Sequence, residues 1–145
     1  MKISTKGRYA IKMLIDLAEH KNEGFIALKD IAKRQNISKK YLEQIDALLN
    51  RAGMFSINRG YQGGYKLARS ADDYSIGEIL RLTEGSLAPV SCLEQDKNMC
   101  EKCNSCPTLF IWEGLNDITK EYLDSITLQD VLDHKQNFDN FDYVI

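Results

Sequence analysis

Apolar positions recur at helical spacing through the first 52 residues and then change period. Tyr9, Ala10, Met13, Leu14, Leu17 and Ala18 form one stripe of a helix over residues 4–21, and Ile11 and Ile15 add a second. A helix apolar on more than one side is deeply buried or sits at a subunit contact. After Asn22-Glu23-Gly24, residues 28–35 read as a short second helix, and the break Gln35-Asn36-Ile37-Ser38 leads into a third. Ser38 suits the N-cap of that third helix, and Ile37 with Leu42 suits a hydrophobic staple. Leu42, Ile45, Leu48, Leu49 and Ala52 make its apolar stripe, and Gly53 is placed to stop it.

The period then becomes two. Met54–Ile57 and Gly64–Leu67 alternate as strands around the turn-rich Asn58-Arg59-Gly60-Tyr61-Gln62-Gly63, which predicts a small hairpin directly after the third helix. Ser75 and Glu78 match a capping box at the head of a helix from Ile76 to Thr83, with Tyr74 and Ile79 as a staple and Gly85 as the stop. Residues 86–106 read as a loop. Pro107 suits the first position of a long helix to about Ile126. In it Ile111, Leu115, Ile118, Tyr122 and Ile126 step by four, three, four and four, and Leu109, Trp112 and Leu123 widen the face. So broad a seam suits a dimer contact. A short last helix, Thr127 to Leu132, precedes an acidic tail whose Phe138, Phe141, Tyr143, Val144 and Ile145 are too apolar to be purely solvated.

A short helix, a tight turn and a longer helix with a polar outer face form the helix-turn-helix pattern, and a following hairpin is a wing. The outer face of the third helix carries Lys40, Glu43, Gln44, Ala47 and Arg51. Lys and Arg suit phosphates, Gln can pair with a base edge, and Ala fits a thymine methyl. Arg59 and Tyr61 would project from the hairpin tip, and Arg suits the strongly negative potential of a narrow minor groove. Charge placement agrees. The net charge is −2, yet residues 1–69 carry 14 Lys/Arg against 6 Asp/Glu, whereas residues 70–145 carry 5 against 15. A basic half that meets a polyanion and an acidic half that does not is the reading this supports. The expected fold is mainly α with a small β-hairpin wing (α+β). Its expected divisions are a winged helix-turn-helix DNA-binding domain over residues 1–85, a cysteine-containing sensor loop over 86–106, and a dimerisation helix and tail over 107–145.

No apolar run approaches the ~20 residues that span a bilayer. The apolar segment Tyr9 to Ala18 is interrupted by Lys12 and Asp16, unlike a signal peptide. A cytoplasmic protein is expected, so the cysteines are not expected to be a disulfide framework. Cys92, Cys100, Cys103 and Cys106 all fall in the loop, spaced Cys-x7-Cys-x2-Cys-x2-Cys-Pro. Structural zinc usually takes two Cys-x2-Cys knuckles set further apart. Three cysteines at x2 spacing followed by Pro resemble the ferredoxin run whose thiolates hold an iron–sulfur cluster. As cap of the long helix, Cys106 would have its thiolate stabilised by the helix dipole. A bare thiol switch forming disulfides on oxidation is the alternative. No enzyme is expected: His20 and His134 are isolated, no hydrolase constellation is visible, and a thiol oxidoreductase would need a βαβ pattern that is missing.

The chain as a whole resembles the Rrf family of winged helix-turn-helix regulators, with its IscR, NsrR and CymR types. The matching residues are Ser4-Thr5-Lys6-Gly7-Arg8-Tyr9-Ala10, Ile37-Ser38 with Tyr41-Leu42-Glu43-Gln44, Arg59-Gly60 with Gly63-Gly64-Tyr65, and Ser125-Ile126-Thr127-Leu128. The resemblance implies a homodimeric repressor, paired through the long helix, on a palindromic DNA operator. It implies major-groove contacts from Ser38, Lys40, Tyr41, Glu43 and Gln44, and minor-groove contacts from Arg59 and Gly60. With Lys39 and Tyr61 from the same helix and hairpin, these are the candidate DNA-binding residues. For the metal, the resemblance places cluster ligands at Cys92, Cys100 and Cys106. Where the IscR type has a fourth-ligand His this chain has Leu109, and where the NsrR type has an Asp near the N-terminus it has Arg8, so Cys103 is the substitute. Cluster type stays open between 2Fe–2S and 4Fe–4S, and the signal between Fe–S, redox and nitric oxide status. The N-terminal stretch and aromatic C-terminus look most like the CymR type, which implies as alternative a cluster-free cysteine-metabolism repressor controlled by thiol oxidation or by docking a cysteine synthase.

Overall fold

In a computed structural model, which describes residues 1–142 with side chains through Asn140, the helices are α1 (Thr5–Glu19), α2 (Leu28–Gln35), α3 (Lys39–Arg51), α4 (Ile76–Glu84), α5 (Leu109–Ser125) and α6 (Leu128–Asp142). The strands are β1 (Phe55–Asn58) and β2 (Gly64–Leu67). The first helix begins where Ser4 accepts the Gly7 N–H at 3.1 Å. The Ser4 hydroxyl in turn donates to Glu84 at the end of α4, at 2.6 Å. Gly7 allows this approach, because a Cβ there would collide with the Glu84 carboxylate.

The apolar stripe of α1 is the centre of the core. Ala10, Met13, Leu14 and Leu17 are buried against Ile31 of α2, Leu42, Ile45 and Leu49 of α3, and Ile79 of α4. Asp16 is a fully buried charge on the same helix. Its carboxylate accepts from Arg34 Nε at 3.0 Å, Arg34 Nη2 at 2.6 Å and Gln35 Nε2 at 3.0 Å. A buried carboxylate is tolerable only when paired and hydrogen-bonded in this way, and here the pairing fixes α2 on α1. Asn36 then takes the left-handed conformation (φ 53°) that turns the chain toward α3.

The strands pair antiparallel, Phe55 opposite Leu67 and Asn58 opposite Gly64. Tyr65 exchanges both backbone hydrogen bonds with Ile26, at 2.8 Å each, so β2 docks beside the segment that enters α2. Gly64 permits this, since a Cβ there would strike the Ile26 carbonyl. The base of the hairpin is closed by buried Tyr74. Its hydroxyl donates to the Met54 carbonyl and accepts from the amides of Ala68 and Arg69, both at 3.1 Å. Tyr74→Phe should cost about 2–3 kcal/mol by leaving these groups unpaired, read as a lower denaturant midpoint with an unchanged slope.

Four expectations shift. The first strand runs Phe55–Asn58, one position later than its alternation suggests. The fifth helix starts at Leu109 with Thr108 as N-cap, so Pro107 and Cys106 lie in the turn before it. The last helix does not stop at Leu132 but runs to Asp142. Leu128 and Leu132 bury on the core, and Lys135 reaches Glu19 Oε1 at 2.5 Å, so contacts with α1 carry it where apolar periodicity fades. The Ser75 cap forms on the Glu78 N–H at 3.0 Å, but the Glu78 carboxylate turns to Arg69 rather than closing the box. Of the tail residues read as too apolar to be purely solvated, Phe138 is exposed on α6, and the side chains of Phe141, Tyr143, Val144 and Ile145 lie outside the described residues. Among the described residues no helix is long and apolar enough to cross a membrane.

Candidate nucleic-acid interface

Ser38 starts α3 as expected, accepting the Tyr41 N–H at 3.1 Å. With Leu42, Ile45 and Leu49 buried, the opposite side of the helix is presented to solvent: Lys39, Lys40, Glu43, Gln44, Ala47 and Arg51 are all exposed. Lys39 lies 4.0 Å from Glu43, a surface pair too weak to withhold the lysine from a phosphate. Tyr41 is only half exposed, because its ring meets Tyr9 of α1 edge-on with centroids 5.5 Å apart. It therefore packs as well as facing outward.

At the wing tip Arg59, Gly60 and Tyr61 are exposed, and Tyr61 is 98% so. Gly60 takes φ +117°, a conformation that disfavours a side chain. Between α3 and the wing lies a cleft of about 620 Å³. Lys39, Glu43, Arg59 and Gly60 line it together, whereas Lys40, Gln44 and Tyr61 stand outside it. Lys29 lines it too. That residue, at the start of α2, carried no sequence signal of its own, and only the fold brings it beside α3. On the floor of the cleft the Tyr65 hydroxyl donates to Asp46 Oδ2 at 2.6 Å. Burial, and then this bond to Asp46, push the Tyr65 phenol above its ordinary value.

The fifth helix has two unlike sides. No residue of α5 is buried within the single chain. Leu123 packs on the core, and Asp124 pairs with Arg81 of α4 at 2.7 Å. Facing away, Ile111, Leu115, Ile118 and Tyr122 form an exposed apolar strip, and Phe110 is exposed near the head of the helix.

The loop before α5 holds all four cysteines as free thiols, Cys100 exposed and Cys92, Cys103 and Cys106 half-buried. Among the described residues no three His, Cys, Asp or Glu side chains are gathered closely enough to hold a metal ion. Cys92 and Cys100 do share a small cavity of about 240 Å³. Asn98, between them, accepts the Cys100 N–H at 2.9 Å, while its Nδ2 is buried without an acceptor. The Cys106 thiol is held below its ordinary value, first by the Thr108 hydroxyl 3.6 Å away and then by the amides at the start of α5. Cys106 is not the cap of α5, a place Thr108 takes, and it meets the helix start through these contacts.

A two-helix unit with an exposed polar recognition helix, followed at once by a two-stranded hairpin, defines a winged helix-turn-helix protein. The chain belongs to the Rrf2 family, described as iron-dependent transcriptional regulators, which matches residues 3–134. It is 40% identical to the HTH-type transcriptional regulator CymR of Bacillus subtilis over 131 residues, 90% of this chain and 89% of that protein. The solved structure of T. potens IscR is similar at 42% identity and a TM-score of 0.75, covering 93% of this chain and 88% of that one. The structure of B. subtilis CymR, the global cysteine regulator, is similar at 38% identity and TM-score 0.75, with 92% and 98% covered. The protein is a DNA-binding transcriptional regulator of the IscR and CymR type, and not an enzyme.

Proposed function

We propose that the protein is a cytoplasmic homodimeric repressor whose α3 enters the major groove and whose wing enters the minor groove of a palindromic operator. The observation that carries this is the exposed basic face joining Lys39 and Lys40 on α3 to Arg59 on the wing. Lysines there neutralise phosphates, Gln44 reads a base edge, and Arg59 enters the narrower groove. Pairing through α5 is supported by its exposed apolar strip, which leaves a helix of 17 residues with nothing buried until a second copy covers it.

The cysteine loop is proposed to hold an iron–sulfur cluster through Cys92, Cys100, Cys103 and Cys106. The donor set fits such a group: four thiols on one loop, and in the same loop an Asn98 Nδ2 donor buried without an acceptor, a role a cluster sulfur would fill. When bound, the cluster supplies a redox-active, oxidant-sensitive centre. The thiols are not gathered in the described structure, so binding must order residues 92–106 at the head of α5. Because α5 sets the separation of the two recognition helices, that ordering shifts their fit to half-sites about one DNA turn apart, ~34 Å.

A second reading, a cluster-free regulator of cysteine metabolism governed by thiol oxidation or by an enzyme partner, is favoured by the CymR likeness and the ungathered thiols. An absorption spectrum of anaerobically purified protein separates the two. Visible thiolate-to-iron bands, lost in Cys92→Ala and Cys106→Ala, are expected. A colourless protein without iron that still shifts promoter DNA in a gel supports the second reading.

A further inference from the structure

Among the described residues one side-chain hydrogen bond joins the wing to the recognition helix: Tyr65 of β2 to Asp46 of α3. The second oxygen of that carboxylate, Asp46 Oδ1, is buried with no partner. A carboxylate with one oxygen buried and unpaired is costly, so general stability does not account for an aspartate here. Position does. A two-stranded hairpin is marginal alone, so its inclination depends on its anchors. Along one edge the anchor is the Tyr65–Ile26 backbone pairing, about which the hairpin could pivot. On the α3 side it is the Tyr65 hydroxyl, held over the cleft shared by Lys39 and Arg59. The DNA strand that divides major from minor groove must cross this same cleft when helix and wing engage together.

We propose that Asp46 is a positioning residue which, through Tyr65, sets the wing at a fixed angle to α3, so that major- and minor-groove contacts are made on one site at once. The proposal rests on the reading of α3 and the wing as the DNA-contacting elements. The experiment uses a duplex that the wild-type protein selects from a randomised pool, together with duplexes altered either at wing-contacted flanks or at α3-contacted bases. Tyr65→Phe keeps the ring and its edge-on contact with Phe55 (centroids 4.9 Å) but removes the hydroxyl. It and Asp46→Ala should each weaken binding about tenfold. Both should also flatten the penalty for replacing A·T by G·C pairs at the flanks, while the penalty at α3-contacted bases persists. Asp46→Asn, which keeps an oxygen acceptor, should restore wild-type flank discrimination and bind within about threefold of wild type. A folded Tyr65→Phe protein that binds and discriminates as wild type overturns the proposal, as does a uniform loss at all positions tracking a lower thermal midpoint. Wild-type protein that selects no sequence removes the DNA reading, and the proposal with it.

Discussion

Ile118→Asp is expected to convert the protein to a monomer and to weaken operator binding by about 10²–10⁴-fold, the gain lost when two linked half-sites become independent. Ile118 lies mid-strip on α5 and is 68% exposed in the single chain. A two-fold interface repeats each substitution, so one change places two carboxylates in an apolar contact where neither finds a partner. The folded protomer should survive, because nothing in the core rests on this side of the helix. Sedimentation equilibrium reads the assembly state, and a titration of operator duplex reads the affinity. Lys120→Ala, on the same helix, should leave both unchanged. A dimeric Ile118→Asp protein would move the subunit contact elsewhere.

The second large effect is expected from replacing Lys40, Gln44 and Arg59 together by alanine. In the proposed complex these three supply a phosphate contact, a base-edge contact and a minor-groove contact, each present twice in a dimer. Losing them should remove on the order of 4–8 kcal/mol, at least roughly a 10³-fold fall in affinity. All three side chains are exposed, so melting temperature should hardly move. Unchanged operator affinity in the folded triple variant would dismantle the assignment of this face.

How much of this was written in the residue pattern depends on whether the determining contacts are local. The second and third helices were readable because Ser38, the αL turn at Asn36 and the apolar stripe act within a few residues. The hairpin was readable because alternation and turn residues adjoin; only its first strand shifted by one position, to Phe55–Asn58. The run of α6 to Asp142 was not, since Lys135 finds Glu19 across 116 positions of chain. The same holds for the buried Asp16–Arg34 pair, for the Tyr74 hydroxyl under the wing, and for Lys29 beside α3. On α5 the periodicity gave an apolar helix but not its division, in which Leu123 turns to the core while Ile118 and Tyr122 face out. The cysteine spacing gave a donor set. It did not give their arrangement: among the described residues the thiols are not gathered, and gathering them on the proposed cluster would be coupled to its binding.

In the proposed complex the basic amino-terminal half grips DNA by its phosphates. The dependence of operator affinity on salt measures this directly. If each protomer brings about four cations to the DNA and releases counterions accordingly, Lys29, Lys39 and Lys40 at phosphates and Arg59 in the minor groove, a plot of log affinity against log salt should slope at roughly −7, falling to roughly −4 in the triple variant, which lacks two of those four charges per protomer. A slope near zero for the wild-type protein would contradict the account.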